Sequence, residues 1–418
     1  TTWWGVHLGF LNIRYAFICG LCLLIGTTLN LNRLKFGERF VHPLEWGLLA
    51  ILLVMILSTV TGTPWNFRTD DYLDKMMKVF LFAFMMTHVV VTRRRLWAFA
   101  LLFTLLALYL GHEAKIAPPG SFTRNRLDGI GGPDFRESSG LAVHLFAMLP
   151  FVAVMFRQPS WILKLLAFLA AGYAMNAVLL CQTRSAFLGG MATAVVAVLY
   201  SPPRHRRWII VMLTLATIGG YVLSDPYFRG RMTTIFVSAE ERDRSAESRF
   251  ELWAAAGKML RDYPWGVGIG HFEQEIGRYG EDLHMRDAHN SYVLCVAETG
   301  YIGLAVYIMI IITAWRTLAA ADYRARTQLS DPDFLQLMIL ANRLALVVYL
   351  VSGFFVSRFY TEGIWWLLML PACMSRAVEN QVREEAGQPI VIHATGPVQI
   401  FEERDGEKIP VFARLNPS

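Results

Sequence analysis

One stretch of the sequence, AHNSYVLCVAETGYIGL, combines an apolar run with residues that could do chemistry. His289 and Asn290 stand at its start, and Glu298 lies inside it. A histidine titrates near neutral pH, so His289 could act as a general base. An acid inside an apolar run is a functional candidate by default, although a polar contact between helices explains Glu298 equally well. The chemistry therefore depends on whether this stretch enters a membrane.

Two arginines occur in comparable settings. Arg184 lies in CQTRSAFLGG, at the junction of two apolar runs, and Arg249 lies in AESRFELW. A guanidinium group is permanently charged and forms paired hydrogen bonds, a geometry that suits phosphate. A lone arginine at a membrane interface more often only extends its charge toward water. The functional interpretation gains weight because both arginines and His289 are expected on one face of a membrane.

The composition indicates a membrane protein. Hydrophobic residues make up 55% of the 418 residues and charged residues only 17%, against about 25% charged residues in soluble domains. The apolar residues form continuous blocks of roughly 17–25 residues, the length that crosses a bilayer as a helix, and they lack the alternation of a membrane β-barrel. Eleven spans are predicted, at about 15–30, 43–62, 76–91, 96–111, 139–156, 161–181, 185–200, 208–224, 290–315, 336–357 and 362–376.

Basic residues in the short loops orient these spans. Clusters such as TRRR and PPRHRR follow the odd-numbered spans, so they all fall on one side, which the positive-inside rule assigns to the cytoplasm. The net charge of +6 is thus a topology signal, and no basic soluble face suggests nucleic acid as a partner. The sequence predicts an all-α fold, a polytopic membrane helical bundle with about eleven to twelve transmembrane helices, since the first residues could be the remnant of another span. Its parts are an N-terminal transmembrane bundle (1–224), an external loop containing helices (225–289), C-terminal transmembrane helices (290–376) and a cytoplasmic tail (377–418).

The long external loop contains an amphipathic helical pattern. Its predicted apolar face consists of Phe250, Trp253, Ala254, Gly257 and Leu260, which recur at helical spacing. Such a helix is expected against the membrane surface or the bundle. The following WGVGIGHF lacks the Lys-Ser/Thr of a phosphate-binding loop, so a tight turn is the favoured interpretation.

Within the ninth span, His289 and Gly300 are almost three helical turns apart, on nearly the same helix face. Gly303 falls close to that face as well. The two glycines are expected to let another helix approach closely beneath the histidine. Glu298 is about half a turn away and faces elsewhere in the bundle.

Other charged groups have weaker patterns. An acidic cluster in the loop 63–75 could suggest a metal-dependent enzyme, but it has no partner motif and a solvated loop is the better interpretation; no metal site is predicted. Basic residues in the loop 112–138 could meet an anionic ligand or be surface charge. Arg358, just outside the tenth span, is a further phosphate-binding candidate. These groups are Asp70, Asp71, Asp74, Lys115, Arg124, Arg126, Arg136 and Arg358.

The motifs TRSA, ESRFELW, WGVGIG and HNSYVLCVAETGYIGL, in this order, resemble the signature of the bacterial O-antigen ligase and O-antigen polymerase superfamily. The resemblance extends from about the fifth span to the ninth. Its most specific element is His289-Asn290, nine residues and then Gly300, which is similar to the ligase pattern. The segment PPGSF is slightly similar to ligases that act on other acceptors.

The resemblance implies a glycosyltransferase in the bacterial inner membrane, with loop 225–289 and the active site facing the periplasm. Its donor would be a glycan on undecaprenyl diphosphate and its acceptor a hydroxyl of lipid A-core, with membrane lipids as surroundings and no cofactor, metal or nucleotide. His289 would be the general base, acting with inversion, and Arg184 and Arg249 would bind the diphosphate. Arg358, Asn290 and Glu298 are additional site candidates. The alternatives are an O-antigen polymerase, which extends a carrier-linked glycan, and a transporter; the sequence specifies no oligomeric state.

Overall fold

The computed structural model describes residues 15–29, 42–64, 67–123, 125–130, 132–135, 137–224, 226–233, 244–387, 401–404 and 407–410. Over these residues the chain is a bundle of α-helices with two short antiparallel hairpins. The helices are Tyr15–Leu29 (α1), Pro43–Thr61 (α2), Phe67–Val89 (α3), Arg93–Lys115 (α4), Ser138–Phe156 (α5), Trp161–Cys181 (α6), Arg184–Tyr200 (α7), Pro203–Leu223 (α8), Pro226–Thr233 (α9), Arg244–Asp262 (α10), Phe272–Glu275 (α11), Ser291–Gln328 (α12), Asp333–Ser352 (α13) and Glu362–Glu385 (α14). The strands are Phe122–Thr123 (β1), Arg126–Leu127 (β2), Phe401–Arg404 (β3) and Glu407–Pro410 (β4), with β1 paired to β2 and β3 to β4.

The predicted fold class is confirmed, because a helix occupies each of the eleven predicted spans. Within the described residues, seven helices are long and apolar enough to cross a membrane, namely α2, α4, α5, α6, α8, α12 and α13. Helix α7 is apolar but has only 17 residues, and α3 and α14 carry charged residues in one end.

Two helices extend beyond the predicted apolar blocks. Helix α3 begins at Phe67, so the predicted loop 63–75 is mostly helical. Helix α14 ends at Glu385, so the predicted boundary between membrane and tail at residue 376 falls within a helix. Apolar length alone underestimates both helices, because their charged turns continue the helix with ion pairs one turn apart, such as Arg383–Glu379 at 3.0 Å.

The most enclosed span is α13, in which 89% of the apolar window is buried by protein. It packs against α5 and α7, while α12 packs against α2 and α14, and α4 against α6. The α4–α6 contact depends on small residues. A Cβ at Gly111 would lie 2.5 Å from the backbone of Tyr173, and Ala170 and Ala174 of α6 are fully buried. Such close approach is how membrane helices gain packing without a hydrophobic driving force between them.

Three loops meet at one end of the bundle, which we call the site face. They are the described residues of 118–137 and the segments 263–290 and 353–361, and side chains connect them. Tyr360 donates to Glu298 near the start of α12, and Arg358 contacts Glu137 at 2.9 Å. At the opposite end, Arg93 pairs with Asp331 at 2.9 Å. The bundle thus has two distinct polar ends.

The amphipathic helix of the external loop is present as α10, but its buried face differs from the predicted one. The buried residues are Leu252, Ala255, Ala256, Met259 and Leu260. Phe250, Ala254 and Gly257 are instead exposed, and Phe250 reaches 60% exposure. The face is rotated because α10 packs against α12 and the turn 276–279, and those contacts select a different set of neighbours.

Candidate active site

The first feature of the site is a break in α12 at Gly300. Its backbone has φ 69° and ψ −176° inside an otherwise continuous helix, a conformation that glycine adopts without a Cβ penalty. A Cβ there would lie 2.5 Å from the Pro264 carbonyl oxygen. The expectation of one continuous helical face from His289 to Gly300 is therefore wrong. The close approach at Gly300 is real, but the neighbour is the backbone of a loop rather than another helix.

That loop, residues 264–270, occupies the break and satisfies its backbone groups. Val267 N donates to Ala297 O at 3.0 Å, and Tyr301 N donates to Pro264 O at 3.3 Å. On its other side, the loop accepts from Thr63 N, which donates to Val267 O at 3.0 Å. A broken helix exposes carbonyl and amide groups that must find partners. The WGVGIG motif supplies them, so the predicted turn is present and its role in the fold is to connect α12 with the end of α2.

His289 and Asn290 start α12 in different ways. Asn290 is the N-cap, and its side-chain oxygen accepts from Tyr292 N at 2.9 Å and Val293 N at 3.1 Å, as a helix start requires. His289 precedes the cap in the left-handed region, with φ 46°. Its side chain is 48% exposed. The backbone turn thus presents the imidazole to the surroundings while the asparagine holds the helix start.

Asp287 orients the imidazole of His289. Its Oδ2 lies 3.1 Å from His289 Nδ1 and accepts from His289 N at 3.2 Å. If Nδ1 carries the proton that this contact accepts, Nε2 holds the free lone pair that a general base needs. Trp253 of α10 adds a further restraint, because its Nε1 donates to Ala288 O at 2.9 Å. The sequence reasoning missed Asp287, although its position two residues before the histidine was a usable signal.

The arginines form the second part of the site. Arg184 is the first residue of α7, after Gln182 in the left-handed conformation, and Arg249 lies on α10. Burial lowers the pKa of Arg249, and the positive charge of Arg184 lowers it further, whereas Asp287 acts in the opposite direction. Arg249 Nε is buried and has no hydrogen-bond partner among the described residues. The charges of Arg184 and Asp287 thus both act on Arg249, so the two predicted arginines lie within electrostatic range of each other and of the aspartate that contacts His289.

Two further arginines join this group, and we call Arg126, Arg184, Arg231 and Arg249 the arginine cluster. Burial lowers the pKa of Arg231, and the charges of Arg126 and Arg184 lower it further. Arg126 donates to Ser138 Oγ at 2.6 Å, which fixes its loop to α5. Like charges within electrostatic range repel one another, and a bound polyanion would relieve that repulsion.

Of the other basic residues in the loop 112–138, Lys115 lies over the ring of Tyr173, 5.4 Å from its centroid. Arg124 and Arg136 lie outside the described residues. Arg231 stands in no recognisable motif, so the sequence did not predict it; only the fold brings it within electrostatic range of Arg184. The basic loop therefore contributes one described residue, Arg126, to the arginine cluster.

Glu298 and Arg358 lie in a cavity of about 300 Å³ at the site face. Glu298 is 2% exposed, and its carboxylate accepts from Phe272 N at 3.0 Å and from the hydroxyl of Tyr360. Arg358 pairs with Glu137 at 2.9 Å and donates to Ser139 Oγ at 3.0 Å. Glu298 thus connects α12 to two loops, and Arg358 is held against the start of α5, where a Cβ on Gly140 would lie 2.7 Å from its guanidinium carbon.

The acidic residues singled out near residue 70 lie in the first turns of α3 rather than in a loop. Asp74 pairs with Lys78 one turn later. Within the part of the chain that the structure describes, no group of three His, Cys, Asp or Glu side chains has an arrangement that could hold a metal ion.

The apolar helices and the polar site at one end define a class, a multi-pass membrane protein built as a helical bundle. Residues 169–308, about a third of the chain, match the family model described as O-antigen ligase. This match supports the resemblance to the O-antigen ligase and polymerase superfamily and a function of that type. The matched segment contains Arg184, Arg249, His289 and Gly300. No curated protein matches the sequence.

Proposed function

We propose that this protein is an O-antigen ligase that transfers a glycan from undecaprenyl diphosphate to a hydroxyl of lipid A-core at the periplasmic face of the inner membrane. The observation that carries the proposal is the position of Asp287, which contacts His289 and acts electrostatically on Arg249. One carboxylate thus contacts the candidate base and acts electrostatically on an arginine of the cluster. That pairing suits a reaction in which a hydroxyl must lose a proton while an anionic group departs.

In the proposed reaction, Nε2 of His289 accepts the proton of the acceptor hydroxyl as its oxygen attacks the anomeric carbon. The bond between the anomeric carbon and the diphosphate oxygen breaks, and the lipid diphosphate leaves with that bond's electron pair. Attack on the face opposite the leaving group inverts the anomeric centre. Asp287 stabilises the imidazolium that forms, because its carboxylate lies 3.1 Å from Nδ1.

The arginine cluster would bind the diphosphate. Guanidinium groups offer paired N–H donors to phosphate oxygens and remain charged at every physiological pH. Positive charge placed where negative charge develops is the largest contribution in many transfer reactions. Arg184 at the start of α7 and Arg249 on α10 approach from two different helices, so a diphosphate between them would be held from two sides.

The test uses purified protein with lipid-linked glycan and lipid A-core, and the product is glycan on lipid A-core. His289→Ala should reduce transfer by about 10²–10⁴-fold, the usual contribution of a general base. His284→Ala is the matched control, since His284 is an exposed histidine of the same loop. Near-normal turnover by a folded His289→Ala variant would remove this residue from the mechanism.

The same assay tests the arginines. Arg184→Lys and Arg249→Lys should both impair transfer, because lysine keeps the charge and loses the paired donors. Full activity in both lysine variants would indicate a purely electrostatic role. Transfer should also continue in the presence of a chelator. If a chelator abolishes transfer and a divalent ion restores it, a metal ion rather than the arginines would neutralise the diphosphate.

An O-antigen polymerase is the second candidate, because the matched superfamily includes both reactions and both break the same sugar–diphosphate bond. The acceptor separates them. We expect a strain without this gene to keep polymerised glycan on its carrier and to lack it on lipid A-core. Single repeat units on lipid A-core in that strain would identify the protein as the polymerase.

A further inference from the structure

The cavity at the site face differs in character from the arginine cluster. It lies among the starts of α3 and α12 and the loops 132–137 and 353–361, and its volume is about 300 Å³. Ligand pockets of about 300–1,000 Å³ are usual in proteins, so this cavity has room for a small group rather than a long chain. Its lining includes the rings of Tyr72 and Tyr360, whose centroids are 4.7 Å apart.

Every cation that lines the cavity is paired with a carboxylate of the protein. Arg68 pairs with Glu273 and Lys75 with Asp134. The third, Arg358, pairs with Glu137 at 2.9 Å. Asp287 and Glu298 are the remaining acidic residues, so the described lining contains three cations and five acidic side chains.

This balance disfavours an anionic ligand and favours a neutral one with many hydroxyl groups. An ionised carboxylate only accepts hydrogen bonds, and a hydroxyl can donate to it. Ser357 Oγ adds a polar group, since it is buried, lines the cavity and has no hydrogen-bond partner among the described residues. Tyrosine rings beside carboxylates combine an apolar surface with polar contacts. Both features suit a sugar ring.

Asp287 relates the cavity to the candidate base. Its carboxylate lines the cavity and contacts His289 Nδ1 at 3.1 Å. The same residue acts on Arg249 of the arginine cluster. The carboxylate-rich cavity and the arginine cluster are therefore both linked to one Asp–His pair, through the lining and through the charge of Asp287, and the two halves of a transfer reaction need these two environments.

We propose that this cavity binds the terminal, uncharged sugar of the acceptor glycan and presents its hydroxyl to His289. The inference rests on the proposed function and adds the acceptor half of the site to it. It assigns the carboxylates Asp134, Glu137 and Glu273 and the ring of Tyr72 to acceptor recognition. The diphosphate of the donor occupies the arginine cluster and not the cavity.

Two variants test the assignment. Glu137→Gln changes a carboxylate whose side chain is 65% exposed, so folding should be little affected, and Tyr72→Leu removes one ring of the aromatic pair. Each should raise the KM for lipid A-core about tenfold, the loss expected for one hydrogen bond or ring contact, and leave kcat within about twofold. Binding of undecaprenyl diphosphate should be unchanged. Glu251→Gln, an exposed glutamate on α10 outside the cavity, is the matched control.

A second measurement does not depend on transfer. Ligand-observed NMR with a neutral methyl hexoside should detect binding to the wild type and weaker binding to both variants, and a hexose phosphate should bind less well than the neutral hexoside. Loss of undecaprenyl diphosphate binding in Glu137→Gln, or preferential binding of the hexose phosphate, would overturn the proposal. If the wild type binds the hexoside but transfers nothing to lipid A-core, the ligase reaction is refuted and the proposal of a sugar-binding cavity stands.

Discussion

Substitution of Gly300 by alanine should disrupt the site without touching a reacting group. The residue has φ 69° and ψ −176°, a region that is essentially restricted to glycine and costs another residue about 1–3 kcal/mol. The new Cβ would also lie 2.5 Å from Pro264 O and 2.7 Å from Trp265 Cα. Both neighbours are backbone atoms, so no side-chain rotation relieves the contact and the loop 264–270 must move.

Movement of that loop weakens the hydrogen bonds that close the break. Val267 N to Ala297 O and Tyr301 N to Pro264 O are two of them, one on each side of Gly300, and a hydrogen bond contributes about 1 kcal/mol net. Together with the backbone conformation, the expected destabilisation is about 3–5 kcal/mol. The start of α12 carries His289, so transfer should fall as well.

The assay is thermal unfolding in detergent together with glycan transfer at a temperature where the variant is folded. We expect a drop of several degrees in the apparent Tm of Gly300→Ala and a lower kcat. Gly172→Ala is the matched control, because a Cβ at Gly172 in α6 meets no described atom within 4 Å, and alanine is the better helix former. A Gly300→Ala protein with wild-type Tm and turnover would refute the reasoning about the break.

Three further predictions concern the surroundings of His289 and the loop. Asp287→Asn should lower kcat about 10–100-fold, since an amide orients the imidazole poorly and does not stabilise its charge; unchanged kcat in a transfer assay would contradict this role. Trp253→Phe removes the 2.9 Å hydrogen bond to Ala288 O and should cost about 1 kcal/mol, seen as a lower apparent Tm with reduced transfer. Burial lowers the pKa of His271 below its ordinary 6.5. Because the unfolded chain then binds more protons than the folded protein, the free energy of unfolding should fall as pH decreases from about 6.5 through the folded pKa. Between about pH 7.5 and 5, the apparent Tm of His271→Asn should therefore change less than that of the wild type. If both proteins lose the same number of degrees, other groups cause the pH dependence.

The helices could be predicted because the signal is local. Apolar runs of membrane-spanning length identified eleven segments, each of which proves helical, and the structure moves mainly their ends. The ends were less predictable, since charged turns such as the start of α3 continue a helix without adding hydropathy. The buried face of α10 was misjudged for a related reason: hydrophobic spacing does not tell which neighbour a helix packs against, and α12 selected Leu252 and Met259 over Phe250.

The sequence by itself determined the membrane-spanning class and the motifs in which the candidates His289, Arg184 and Arg249 stand, because these depend on residue type and spacing along one chain. Only the tertiary structure decided the break at Gly300, which exists because the loop 264–270 supplies partners to the backbone that a straight helix would have paired internally. It likewise decided that Arg126 and Arg231 join the two predicted arginines, and that Asp287 contacts His289 and acts electrostatically on Arg249. Electrostatic interactions of this kind depend on distances between segments far apart in the chain, and no spacing in the sequence encodes those distances.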